Sequence, residues 1–167
     1  MAHRWYPILE AGDAFLTSAP MRHTRTVDLP FPPEETWAVL TGDEASSWTR
    51  GMEKLTWTSA RPFGVGTTRE ISMSGDFVLK ERFYRWEDGR RKTFTGTAAS
   101  RPIFRRLVED YEVEPTAHGS RLRWRWAAEL RAPWSLPLVR HALDRFFFAP
   151  TGRSHIDGLR TYMTTRR

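Results

Sequence analysis

The chain contains no cysteine. That absence excludes a disulfide framework, a thiolate nucleophile and any metal site built on sulfur. Lysine is nearly as scarce: Lys54, Lys80 and Lys92 stand beside 23 arginines among the 26 basic residues. No apolar run approaches the roughly 20 residues that a spanning helix needs. Pro7, Glu10, Gly12 and Asp13 also interrupt the early apolar residues before a secretory segment could form. A cytoplasmic location without stable membrane insertion is therefore the expectation. Chemical motifs are missing too. There is no Gly-x-Ser-x-Gly elbow and no His-Glu-x-x-His pair, and Gly64-Val65-Gly66 precedes a strand pattern and lacks the third glycine of a dinucleotide fingerprint. The histidines are dispersed; on a continuous helix His141 and His155 would stand about 21 Å apart, too far to share a metal. The expectation is no metal and no cofactor.

What the chain does have is aromatic bulk: eight Trp and ten Phe in 167 residues. The length suits one domain with a substantial core. A formal charge of +6 comes from arginines scattered along the chain, the pattern of a solvated basic surface and not of a nucleic-acid tail. Residues 1–20 read as an arm with a short helix near Ile8–Leu16, and residues 21–167 as the domain. A first strand over 22–30 leads to Pro32-Pro33-Glu34-Glu35, which opens a helix because proline suits its first turn and carboxylates its positive end. A second short helix or turn follows at 43–49. Alternation then predicts strands around Leu55–Thr58 and over 66–74, 76–87, 91–100, 104–115 and 120–131, joined by turns such as Asp88-Gly89 and His118-Gly119. Beyond them Leu136, Val139, Leu143, Phe146 and Phe147 recur at helical spacing, continued by Ile156, Leu159 and Tyr162. Pro150 and Gly152 are expected to kink or split this helix.

Two glutamates break the strand pattern. Phe77, Leu79, Glu81 and Phe83 share one face, as do Leu107, Glu109, Tyr111 and Val113. A carboxylate on an inward face needs a partner, since its desolvation is costly. Arg69, on the same face as Ile71 and Met73 in a strand expected beside that of Glu81, is the natural partner for both. In Arg121-Leu-Arg-Trp-Arg-Trp126 the arginines and tryptophans interleave, but alternation puts them on opposite faces. Single-strand binders need them on one face, so nucleic-acid binding is not expected.

Three phrases carry a resemblance: Pro33-Glu-Glu-Thr-Trp-Ala-Val-Leu40, Gly64-Val-Gly-Thr-Thr-Arg69 and Glu81-Arg-Phe-Tyr-Arg-Trp-Glu-Asp-Gly89. With the element order they resemble the START/Bet v 1-like superfamily, in its polyketide cyclase/dehydrase and lipid-transport branch, over about residues 21–165. The resemblance implies an α+β helix-grip fold, a curved antiparallel sheet of about seven strands wrapped around a long C-terminal helix, with two short helices after the first strand. It implies a cavity between sheet and helix, walled by Trp57, Arg69, Ile71, Leu79, Glu81, Phe83, Phe94, Glu109, Tyr111, Trp124 and Trp126, and from the helix by Leu143, Phe147, His155 and Leu159. The expected partner is a hydrophobic small molecule: a lipid, an isoprenoid or an aromatic polyketide. Two other readings stand beside it. One is a cyclase or dehydratase in which Glu81 or Glu109 moves protons while Arg69 or Tyr111 stabilises an enolate. The other is a partner- or membrane-surface module using Arg140–Phe148, where basic and aromatic residues share a helix. Nothing in the pattern bears on oligomeric state.

Overall fold

Seven strands form one antiparallel meander. They are β2 (Met21–Leu29), β3 (Met52–Trp57), β4 (Thr68–Met73), β5 (Phe77–Glu87), β6 (Arg91–Ala99), β7 (Phe104–Thr116) and β8 (Gly119–Leu130), in the order β2-β8-β7-β6-β5-β4-β3. The computed structural model describes residues 4–166. The sheet curls into a half-barrel around the C-terminal helix, which is the helix-grip architecture. Alternation sorts the two faces as the sequence implies. Leu122, Trp124, Ala128 and Leu130 of β8 are buried, while Arg121 is exposed and holds Asp28 at 2.6 Å.

Helix α2 (Pro33–Thr41) begins with Pro33 in its first turn and Glu34 and Glu35 at its positive end. It buries Thr36, Trp37 and Leu40. A 3-10 turn over Ala45–Ser47 follows and leads into β3.

The N-terminal arm departs from expectation. The expected helix near Ile8–Leu16 is a single turn, α1 (Phe15–Ser18), and Ile8 lies in the main core instead. The cause is a split in the sheet. β6 and β7 pair only from Arg91↔Glu112 to Thr95↔Val108, and the two-residue strand β1 (Tyr6–Pro7) fills the gap by pairing with Ala98 and Ala99. Ile8 N donates to Thr97 O and Leu9 N to Arg105 O, so the arm serves both strands. Gly96 leaves room for this, since a Cβ there would lie 3.2 Å from Ile8 Cδ1. On the outer face Phe15, Leu16 and Ala19 pack with Val108 and Ala127. Glu10 and Asp13 pair with Arg82 and Arg85.

The C-terminal helix is not split. α3 (Pro137–Leu143), a π-helical turn (Asp144–Phe148) and α4 (Ala149–Thr165) run on with helical dihedrals at both joins. Pro150 has no N–H and its ring would crowd the carbonyl four residues back; the wider turn just before it relieves that conflict. Two glycines then let the helix lie close. A Cβ on Gly152 would stand 2.8 Å from Trp124 Cη2, and one on Gly158 only 2.1 Å from Trp48 O. No helix among the described residues is long and apolar enough to cross a membrane.

Candidate functional site

Between sheet and helix lies a cavity of about 660 Å³. Its wall is mainly apolar, with Ile71, Leu79, Leu107, Trp124 and Trp126 from the strands and Phe146, Phe147 and Phe148 from the helix. Arg69, Glu81, Lys92, Glu109, Tyr111 and His155 are among the polar groups that line it.

Strand register explains the polar groups. Gly75 and Asp76 take positive φ (80° and 57°) in the turn after β4, a conformation that glycine adopts freely and aspartate tolerates. The tight turn sets Met73 opposite Phe77, and counting back sets Arg69 opposite Glu81. Across the next strands Lys92, Tyr111 and Trp124 stand in one row, and Phe94, Glu109 and Trp126 in the next.

These residues form two hydrogen-bonded groups. In the first, Arg69 Nε donates to Glu81 Oε2 at 2.5 Å, with both side chains buried. The guanidinium lies over the rings of Phe94, Phe83 and Trp57 at 4.5, 5.1 and 5.4 Å from their centroids. Burial pushes the Glu81 carboxyl above its ordinary range; Arg69 opposes that shift and Glu109 reinforces it. Lys92 donates to Leu40 O and lies over the Tyr111 ring at 5.0 Å. Burial, and then the Arg69 charge, hold its ammonium well below the usual lysine range.

The second group is a relay. Tyr111 Oη donates to Glu109 Oε1 at 2.5 Å, and Trp124 Nε1 donates to the same oxygen at 2.5 Å. His155 Nε2 lies 2.6 Å from Tyr111 Oη, and Nδ1 lies 3.2 Å from Thr49 Oγ1. With the single hydroxyl proton of Tyr111 given to Glu109, His155 donates to Tyr111 Oη through Nε2. A neutral ring protonated at Nε2 accepts from Thr49 through Nδ1. Burial lowers its pKa to about 4, while Glu109 works in the opposite direction. Burial and the neighbouring Glu109 carboxylate also push the Tyr111 phenol well above its ordinary value.

Arg69, Ile71, Leu79, Glu81, Glu109, Tyr111, Trp124, Trp126, Phe147 and His155 thus meet at one cavity. Trp57, Phe83, Phe94, Leu143 and Leu159 do not reach its wall. Phe83 and Phe94 are fully buried beside Trp57 as the aromatic bed of Arg69, Leu159 is sealed in the core, and Leu143 packs against that core. The expected single Arg69–Glu81–Glu109 cluster is also divided, because Glu109 finds Tyr111 and Trp124 before it reaches Arg69. Sequence reasoning passed over Lys92, although alternation from Phe94 puts it on the inward face. Trp48 and Thr49 sit just after a 3-10 turn, where no periodicity points to them. The Trp48 indole N–H is buried with no acceptor among the described residues.

Residues 20–164 match the family model described as polyketide cyclase / dehydrase and lipid transport. The chain belongs to that family. An uncharacterised Mycobacterium tuberculosis protein, Rv2574, is 37% identical over 148 residues, covering 84% of this chain and 89% of that protein. A START superfamily protein from Mycobacterium smegmatis superposes with a TM-score of 0.71 at 11% identity, covering 87% of this chain and 99% of its own. TTHA0849 from Thermus thermophilus gives 0.69 at 20% identity, covering 87% and 97%. At those identities the two structures speak for the fold alone.

Proposed function

We propose that this chain binds a hydrophobic small molecule, such as a lipid, an isoprenoid or an aromatic polyketide, in the cavity between sheet and helix. The observation that carries the reading is the cavity itself, about 660 Å³ with a mostly apolar wall and a few convergent polar groups. Ligand sites have this composition and a volume of roughly 300–1,000 Å³. The body of the ligand lies against Ile71, Leu79 and the aromatic wall, and its polar end reaches the Arg69 and Tyr111 groups. The unpaired indole N–H of Trp48 favours an acceptor atom on the ligand, because buried donors rarely stay unsatisfied. Native mass spectrometry of gently purified protein, followed by organic extraction, tests this. A discrete added mass that the extract accounts for is expected; apo protein alone, with no uptake of a lipophilic probe, would count against it.

A second reading, acid–base catalysis of a cyclisation or dehydration, is favoured by the Glu109–Tyr111–His155 relay and by the raised Glu81 carboxyl, both at the cavity wall. A proton-transfer group must stand within hydrogen-bond reach of its substrate and have a tuned pKa. With a candidate polyketide in hand, Glu81→Gln would abolish turnover while the variant, though less stable for losing the charge that faces Arg69, stays folded and keeps its affinity. If the variant chiefly unfolds, the carboxylate is structural.

A further inference from the structure

The first half of the C-terminal helix packs on the core only through partly buried side chains such as Leu143 and Phe148. No residue from Arg131 to Thr151 is buried. Five of the seven exposed large hydrophobic residues among the described residues lie in this stretch: Trp134, Leu136, Leu138, Phe146 and Phe147, with Leu138 86% and Phe146 75% exposed. Scattered apolar residues on a surface need no explanation, but a concentrated group marks an interaction site. In an unbroken α-helix Phe146 would sit about 80° round from Leu138. The residue taken up by the π-helical turn returns it toward the same face.

The patch adjoins the mouth of the cavity. The exposed members of the cavity wall include Arg50, Ser74, Arg101, Phe146 and Phe147. Ser74 N donates to Gly51 O, and Arg101 donates to Gly75 O, so the two arginines flank one hydrogen-bonded rim of the cavity. From 131 to 153 there are four arginines and one carboxylate, Asp144, which His23 engages at 2.7 Å. Arg140, Arg145 and Arg153 make no ion pair among the described residues.

We propose that this mouth docks on an anionic lipid bilayer, with Leu138, Phe146 and Phe147 entering the interface and Arg140, Arg145 and Arg50 on the headgroups. Apolar side chains beside uncompensated arginines are the composition of an interfacial helix. A protein partner would accept the apolar residues equally well. The bilayer is favoured because the charges of residues 131–153 that make no ion pair among the described residues are all positive, and because Phe146 and Phe147 both line the cavity and are exposed. An apolar ligand could then pass from the acyl region to the cavity without crossing water. Only that last purpose rests on the ligand-binding reading; docking stands on the surface alone.

The test is flotation of the full chain with vesicles of phosphatidylcholine alone and of an equal mixture of phosphatidylcholine and phosphatidylglycerol. Binding to the mixed vesicles, weakened by salt, is expected. Phe146→Ser with Phe147→Ser should weaken it by about tenfold or more, since two exposed rings leave the interface. Arg140→Glu should weaken it by about fivefold on mixed vesicles only. Val65→Ser, which changes an equally exposed apolar residue outside the cavity wall, should leave it unchanged. Melting curves check that each variant is folded. Failure to float with either vesicle, flotation unaltered by the phenylalanine changes, or a self-association that those changes abolish in place of vesicle binding would each overturn the proposal. Vesicle binding by protein that carries no ligand and takes up no probe would support docking while the cavity reading fails.

Discussion

Arg69 and Glu81 meet at 2.5 Å with both side chains buried at the cavity wall, and aromatic rings bed the guanidinium. Such a pair adds little net stability, but removing one member strands a buried charge and costs about 3–5 kcal/mol. Glu81→Leu should therefore lower the unfolding free energy by about 3 kcal/mol, and Arg69→Met with Glu81→Leu should recover most of that loss in urea denaturation. Equal losses in the single and double variants would show that the two charges are not coupled. His155 makes a pH prediction. Its folded pKa of about 4 lies below the ordinary value of 6.5, so the unfolded chain takes up the proton first as pH falls. Stability is full above pH 6.5 and declines toward pH 4, by roughly 3 kcal/mol in all. Glu81, with a raised folded pKa, works in the opposite direction by favouring the folded state as it is protonated. Comparing the slope of stability with pH in wild type and His155→Gln isolates the histidine, and imidazole ¹⁵N shifts should report a neutral Nε2–H ring at pH 5. Much of this group was legible in the sequence. Glu81, Glu109 and Arg69 stood out because strand alternation makes a misplaced charge visible. Which glutamate the arginine takes was not legible, because that choice depends on register across three strands and on a helix far along the chain.

Elements were read most securely where one face is wet and the other dry, as in β8. The arm and the π-helical turn escaped for different reasons. β1 is two residues long and exists only because β6 and β7 part beyond Thr95, a non-local event that no window of sequence records. The C-terminal block has helical spacing throughout, and that pattern alone could not decide whether Pro150 would break the helix or be taken up by a wider turn. Gly152 was expected to weaken the helix, yet it and Gly158 both sit where the helix approaches other groups closely. Gly158→Ala would drive a Cβ to 2.1 Å from the Trp48 carbonyl oxygen, a backbone atom that cannot swing aside. The helix would have to lift, at a cost of about 1–3 kcal/mol despite the better helix propensity of alanine. Thermal denaturation should show a clear fall in Tm. An unchanged or raised Tm would mean that the close approach is not maintained in solution.

At the scale of the molecule, a meander of seven strands closes on one long helix and leaves a chamber that the side chains do not fill. The outer surface is arginine-rich as the composition implied, but many of those arginines are engaged: Arg82, Arg85, Arg91, Arg121 and Arg125 all hold carboxylates. Arg50 and Arg101, which hold no carboxylate among the described residues, line the mouth of the chamber. Ligand binding requires that chamber to accept an apolar molecule, and the most direct measurement is a fluorescence titration with Nile red of the wild-type chain and of Ile71→Trp. The variant places an indole into the space from a side chain that belongs to neither hydrogen-bonded polar group. Saturable uptake at one site per chain in the wild type, lost in a variant that melts as a folded protein, is the predicted result. Absence of saturable uptake in the wild type, or uptake unchanged by the filled chamber, would contradict it.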